Sequence, residues 1–202
     1  MRLKVIAVSA LSLVFGMLIA VVVFPNSIKS LLDQPKSWSV GKAQIGGPFQ
    51  LIDHNGNRVS DKTYAGKHLL VFFGFTYCPD ICPAALQKVS VVMEKLGSKA
   101  NNLKPLFISV DPERDTVAQL KLYMSNFDNR IVGLTGSTEQ IADAVKVYRA
   151  YAKKREDPST SGGYTMDHSS FIYLMAPNGD FITHFTHVSP IDKMVERLTD
   201  AL

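Results

Sequence analysis

Cys78 and Cys82 are the chain's two cysteines, set together in "FGFTYCPDICPAAL" with three residues between them and a proline after each. Disulfide reductases more often space their thiols Cys-x-x-Cys, so the extra residue and the prolines call for another explanation. A residue before proline is pushed out of the helical region, and proline is well accepted at the first position of a helix. On that reasoning Pro83 opens a helix and Cys82 caps it in a non-helical conformation. The Cys82 sulfur then faces unpaired N–H groups at the positive helix end, which favours thiolate near neutrality. Pro79 stiffens the loop and keeps Cys78 extended beside Cys82.

Two soft anionic sulfurs on a rigid loop suit Cu(I), and one neutral ligand more completes a trigonal site. Among five histidines the candidate is His168, in "YTMDHSSFIYLM". It stands at the start of an apolar strand, after a loop containing Gly162 and Gly163. The adjacent Asp167 either orients its ring or faces solvent. His54 in a turn and His68 at a strand start read as exposed and inert. His184 and His187 form His-x-x-His, but an odd separation along a strand points the rings to opposite faces. Met166 is a soft ligand by type, although methionine beside a core strand is more often packing. A purely structural Cys78–Cys82 disulfide would close so short a loop that it contributes only about 2 kcal/mol.

The elements that must position these residues follow from apolar patterning. "FQLIDHNGNRVS" alternates about Asn55-Gly56, a hairpin signal. "HLLVFFGF" and "PLFISVD" are continuous apolar runs, which suit central strands covered on both faces. After Pro83, Leu86, Val89, Met93 and Leu96 share one helical face. Thr116 with Gln119, and Ser137 with Gln140, are capping boxes opening two more helices. "SSFIYLMAPNGDFITHF" is a second hairpin turning at Pro177 to Gly179, and Ser189-Pro190 starts a last helix. Strands alternating with helices and ending in a hairpin plus helix indicate a three-layer α/β domain with a mixed sheet. The cysteines fall between a buried strand and its following helix, where such folds place their chemistry.

The composition, 46% hydrophobic and 20% charged over 202 residues, fits one well-buried core. The formal charge is +4; without Arg2 and Lys4 there remain 20 basic against 18 acidic residues, which gives no case for nucleic-acid binding. "VIAVSALSLVFGMLIAVVVF" after "MRLK" is uncharged and spans roughly 30 Å as a helix, the thickness of a bilayer core. No small-x-small cleavage site follows Phe24, so residues 1–24 read as an uncleaved anchor. Residues 25–45 read as a tether and 46–202 as the folded domain. Arg2 and Lys4 keep the amino terminus inside and place the domain on the outer, oxidising side. The absence of an Arg/Ser-rich transit segment favours a bacterial inner membrane, with the domain in the periplasm.

The blocks "IGGPFQLIDHNG", "GKHLLVFFGFTYCPDICPAAL", "FISVDPERDT" and "MDHSSF" occur in the order and approximate spacing of the Sco/SenC family, which the chain resembles over nearly all of the domain. The resemblance implies a thioredoxin-like mixed sheet flanked by helices, preceded by a single N-terminal transmembrane helix. It carries copper ligation, as Cu(I) or Cu(II), onto Cys78, Cys82 and His168. The role it implies is that of a metallochaperone for the dinuclear copper site of cytochrome c oxidase subunit II or another periplasmic copper or thiol protein. The protein would deliver copper or reduce the target's paired cysteines. The alternative is a periplasmic thiol-disulfide oxidoreductase in which Cys78 and Cys82 are a redox-active pair, forming a disulfide bond without copper transfer. A thiol peroxidase is a third reading. Such sites place threonine or serine three residues before the reactive cysteine, and here those positions are Phe75 and Pro79.

Overall fold

The computed structural model describes residues 44–160 and 162–202. The expected anchor and all but the last two residues of the tether lie outside the described residues. Among those described, no helix is long and apolar enough to cross a membrane.

The run "HLLVFFG" forms β3 (His68–Gly74), in which every residue after His68 is buried. "LKPLFIS" forms β4 (Leu103–Ser109), parallel to it with Phe72 opposite Phe107. Burial without alternation means that both sheet faces are covered. The turn at Asn55-Gly56 joins β1 (Gln50–Asp53) to β2 (Arg58–Ser60). There Asp53 Oδ1 accepts the N–H groups of Asn55 and Asn57 at 2.9 and 2.8 Å, and Gly56 supplies a φ of +87°. With β5 (Val132–Thr135) and the hairpin β8 (Phe171–Met175) and β9 (Phe181–Thr186), the sheet has the order β2-β1-β5-β4-β3-β8-β9. The β3/β4 and β4/β5 pairs are parallel and the others antiparallel, a mixed sheet as expected.

Helix α1 (Ile81–Leu96) crosses from β3 to β4 and packs against the last helix, α4 (Ile191–Ala201). Helix α2 (Val117–Met124) lies against β5 and α3 (Thr138–Val147) against β1. The Ser137 box forms in full: its Oγ accepts the Gln140 N–H at 3.2 Å, and its own N–H donates to Gln140 Oε1 at 2.9 Å. At Thr116 only half forms. Its Oγ1 accepts the Gln119 N–H at 3.2 Å, while the Gln119 side-chain amide reaches Thr76 Oγ1 at 3.3 Å instead of turning back.

Two elements differ from the sequence reading. Strands β6 (Ala152–Glu156) and β7 (Tyr164–His168) form a separate two-stranded sheet. His168 therefore ends β7 and does not start the buried strand; β8 begins three residues later. Helix α1 also starts earlier than expected, at Ile81 with Asp80 as its N-cap, so Cys82 lies within its first turn and is helical. A first-turn N–H has no intrahelical acceptor, so Pro83 costs nothing inside that turn. The preference of a residue before proline for extended backbone is overridden there.

Candidate metal centre

Cys78 sits on the loop between β3 and α1, half-buried, and Cys82 is fully buried beneath it. Gly74, at the end of β3, makes that burial possible: a Cβ there would lie 2.7 Å from both Cys82 Sγ and the Phe107 ring. His168 closes the group, with Nε2 3.5 Å from Cys82 Sγ. The two sulfurs and a ring nitrogen of His168 all lie within 4.8 Å of one another. With bonds of about 2.0–2.3 Å, a trigonal ion needs donors roughly 3.5–4 Å apart; the Cys82–His168 pair has that spacing, and the whole group lies within 4.8 Å. Two thiol sulfurs and one imidazole form a soft donor set, suited to copper more than to magnesium or calcium.

The ring of His168 is held for this role by the main chain. Its Nδ1 lies 3.0 Å from the Ser169 carbonyl, which can only accept, so in the neutral ring Nδ1 carries the hydrogen and donates it and Nε2 keeps its lone pair. Phe72 and Phe75 close on the ring edge-on, at centroid distances of 6.2 and 5.7 Å. Asp167 does not orient it: its carboxylate, half-exposed, pairs with Arg155 at 3.3 Å.

The protonation of the pair is opposite to the sequence expectation. The hydrogen bond from the Cys82 thiol holds Cys78 well below the ordinary thiol range, against the cost of burial; the N–H groups of Asp80 and Cys82 assist. Sharing that proton, burial and the negative charge of Cys78 push Cys82 up. The pair thus keeps one proton, on Cys82, and the thiolate is Cys78. The helix end does stabilise a thiolate, but through the Cys82 N–H, which donates to Cys78 Sγ at 3.5 Å.

Beneath the loop, Asp115 is fully buried. It accepts hydrogen bonds from Ser109 Oγ at 2.6 Å, Thr76 Oγ1 at 2.7 Å and the Thr76 N–H at 3.0 Å. Burial raises its pKa. It ties the chain end of β4 to the residue two before Cys78. Asp115 and Gly74 were not singled out from sequence; an acidic residue in "DPERDT" reads as surface, and only its contacts reveal it.

The remaining candidates stay apart. His54 Nδ1 accepts the Gly133 N–H at 3.0 Å, which gives it a structural task in place of the expected inertness. His68 is half-buried at the start of β3, and burial lowers its pKa. His184 packs its ring on Phe171 at 4.7 Å, and Met166 packs against the core. Among the described residues, Cys78, Cys82 and His168 are the one group of three acidic, thiol or imidazole side chains placed to hold a metal.

The SCO1/SenC family profile matches residues 39–202. The chain is 35% identical over 196 residues to an SCO2-like protein of Rickettsia conorii, covering 97% of this chain and 95% of that protein. It is 42% identical over 159 residues to the mitochondrial SCO1 homolog 1 of Arabidopsis thaliana, covering 78% of this chain but 47% of that protein, so it spans about half the length of such relatives. The copper-bound ScoI structure of Bradyrhizobium japonicum superposes with a TM-score of 0.72 at 46% identity, over 78% of this chain and 99% of that one. BsSco, described as having a disulfide switch and as a member of the Sco family of cytochrome c oxidase assembly proteins, superposes at 0.64 with 27% identity over 80% of this chain and 95% of its own. With a thioredoxin-like fold and this group of side chains between β3, α1 and β7, the chain belongs to the SCO1/SenC family.

Proposed function

We propose that the protein is a copper-binding metallochaperone. It holds one copper ion on Cys78, Cys82 and His168 and delivers it to the dinuclear copper site of cytochrome c oxidase subunit II, or prepares the thiols of that site. The observation that carries this is the convergence of two sulfurs and an imidazole nitrogen within 4.8 Å, with the ring's other nitrogen committed to a carbonyl. Copper here is cargo: half-buried Cys78 gives a partner's thiolate a point of approach, and ligand exchange can proceed one donor at a time. The apolar N-terminal segment would tether the domain to the membrane that holds the oxidase. Anaerobic Cu(I) titration of the full chain against a competing chelator tests the reading. One equivalent should bind, and His168→Ala should weaken it on the order of tenfold or more. Weak binding indifferent to His168 would contradict it.

A second reading rests on the asymmetry of the thiols. An accessible Cys78 thiolate beside a buried, protonated Cys82 is the arrangement of an attacking and a resolving cysteine. Cys78 would attack a partner disulfide and release one partner thiolate. Cys82, losing its proton, would then attack Cys78 Sγ, leaving a Cys78–Cys82 disulfide and a reduced partner. This route predicts that His168→Ala leaves disulfide reduction mostly intact and that either Cys→Ser change abolishes turnover.

A further inference from the structure

We propose that Arg114 is the positioning residue for His168: it clamps the β6–β7 hairpin onto the cysteine loop and so sets the reach of the third donor. The hairpin needs such a device. Among the described residues its strands bond to each other and to no strand of the main sheet, and an isolated two-stranded ribbon is marginal in water. Its base is held where the Ser169 N–H and Tyr151 carbonyl meet at 2.9 Å, and Met166 packs against the core, while its far end, at Tyr164, is fixed by separate contacts.

Arg114 closes the other end. Its guanidinium lies 3.7 Å from the Tyr164 ring centroid, and Nη1 donates to the Tyr164 carbonyl at 3.1 Å. The Tyr164 hydroxyl in turn donates to Asp111 at 2.9 Å, and Asp111 also accepts from Arg114 Nε. Gly162 leaves room for this contact, since a Cβ there would stand 3.0 Å from Nη1. The same guanidinium lies 4.8 Å from the ring centroid of Tyr77 and 5.7 Å from that of Phe75. Phe75 meets His168 edge-on. Arg114 thus touches the strand that ends in His168, the ring that packs on His168, and the residue before Cys78. Its side chain is 13% exposed and its Nη2 is buried with no hydrogen-bond partner among the described residues, so it does not serve as a surface ion. A planar, stacking cation is what this slot uses, and lysine cannot replace it.

The inference rests on the three-donor metal reading, and a double-mutant cycle in the full chain separates the two. In the unmodified chain His168→Ala should weaken Cu(I) binding. Arg114→Met should weaken it on the order of tenfold to a hundredfold, and adding His168→Ala to Arg114→Met should then cost little more. Arg114→Lys should not restore affinity. In the copper-free protein, Arg114→Met should speed hydrogen exchange of the β7 amides. Tyr164→Leu removes the stacking ring but keeps the Arg114–Asp111 pair, and carries the same comparison if Arg114→Met does not fold. Losses that multiply independently, or rescue by lysine, would overturn the positioning role while leaving the metal centre standing. Indifference of the unmodified chain to His168→Ala would overturn the metal reading, and this inference with it.

Discussion

At the scale of residues, the reactivity of the site is decided by which thiol keeps the shared proton. Cys82 is buried under Gly74 and cannot be solvated as an anion, so Cys78 is ionised and Cys82 remains a thiol. Alkylation with mass-spectrometric readout should modify Cys78 readily at pH 6, where an ordinary thiol is almost wholly protonated, and spare Cys82 until the protein unfolds. Faster labelling of Cys82 would contradict the assignment. The same pair sets a pH dependence of stability. Cys78, with its folded pKa depressed, stabilises above the unfolded thiol value and loses this as pH falls through its folded pKa. Cys82, with its folded pKa raised, stabilises below the unfolded value and loses this as pH rises. Their combined contribution is therefore greatest near the unfolded thiol value, about 8.5. The sequence allowed the two cysteines and His168 to be chosen as donors by type, but not which thiol ionises. That depended on a two-residue difference in where α1 begins.

At the scale of elements, apolar patterning was a good guide wherever a strand is buried or a turn has its own chemistry. The β1–β2 and β8–β9 hairpins, the two parallel core strands and the Ser137 box all lie where their residues indicated. The β6–β7 hairpin was missed for a physical reason. "AKKRE" is exposed at four of its five positions, so it carries no alternation that distinguishes strand from loop. Without it His168 was assigned to the apolar run that follows, although it lies at the end of β7. Helix α3 offers a test of local signals acting without the site. Ser137→Ala should lower stability by about 1 kcal/mol in denaturant unfolding and leave copper affinity unchanged, because α3 packs on β1 at the far side of the sheet from β8. A change in affinity would mean that the cap communicates with the centre.

At the scale of the whole molecule, the donors come from the loop after a central strand, the first turn of a packed helix, and a ribbon outside the sheet. The first two are fixed by the core: β3 is buried along its length, and Asp115 ties the loop to β4. The third depends on the clamp at Arg114. A rigid pair of sulfurs with an imidazole on a separately held ribbon would suit the proposed role, in which a metal is bound and later passed on. The most direct measurement is X-ray absorption at the copper edge on the full chain loaded with one equivalent of Cu(I). Two sulfur scatterers and one nitrogen scatterer are expected, with the nitrogen lost in His168→Ala. Two sulfurs alone, in a spectrum that His168→Ala leaves unchanged, would contradict the three-donor centre.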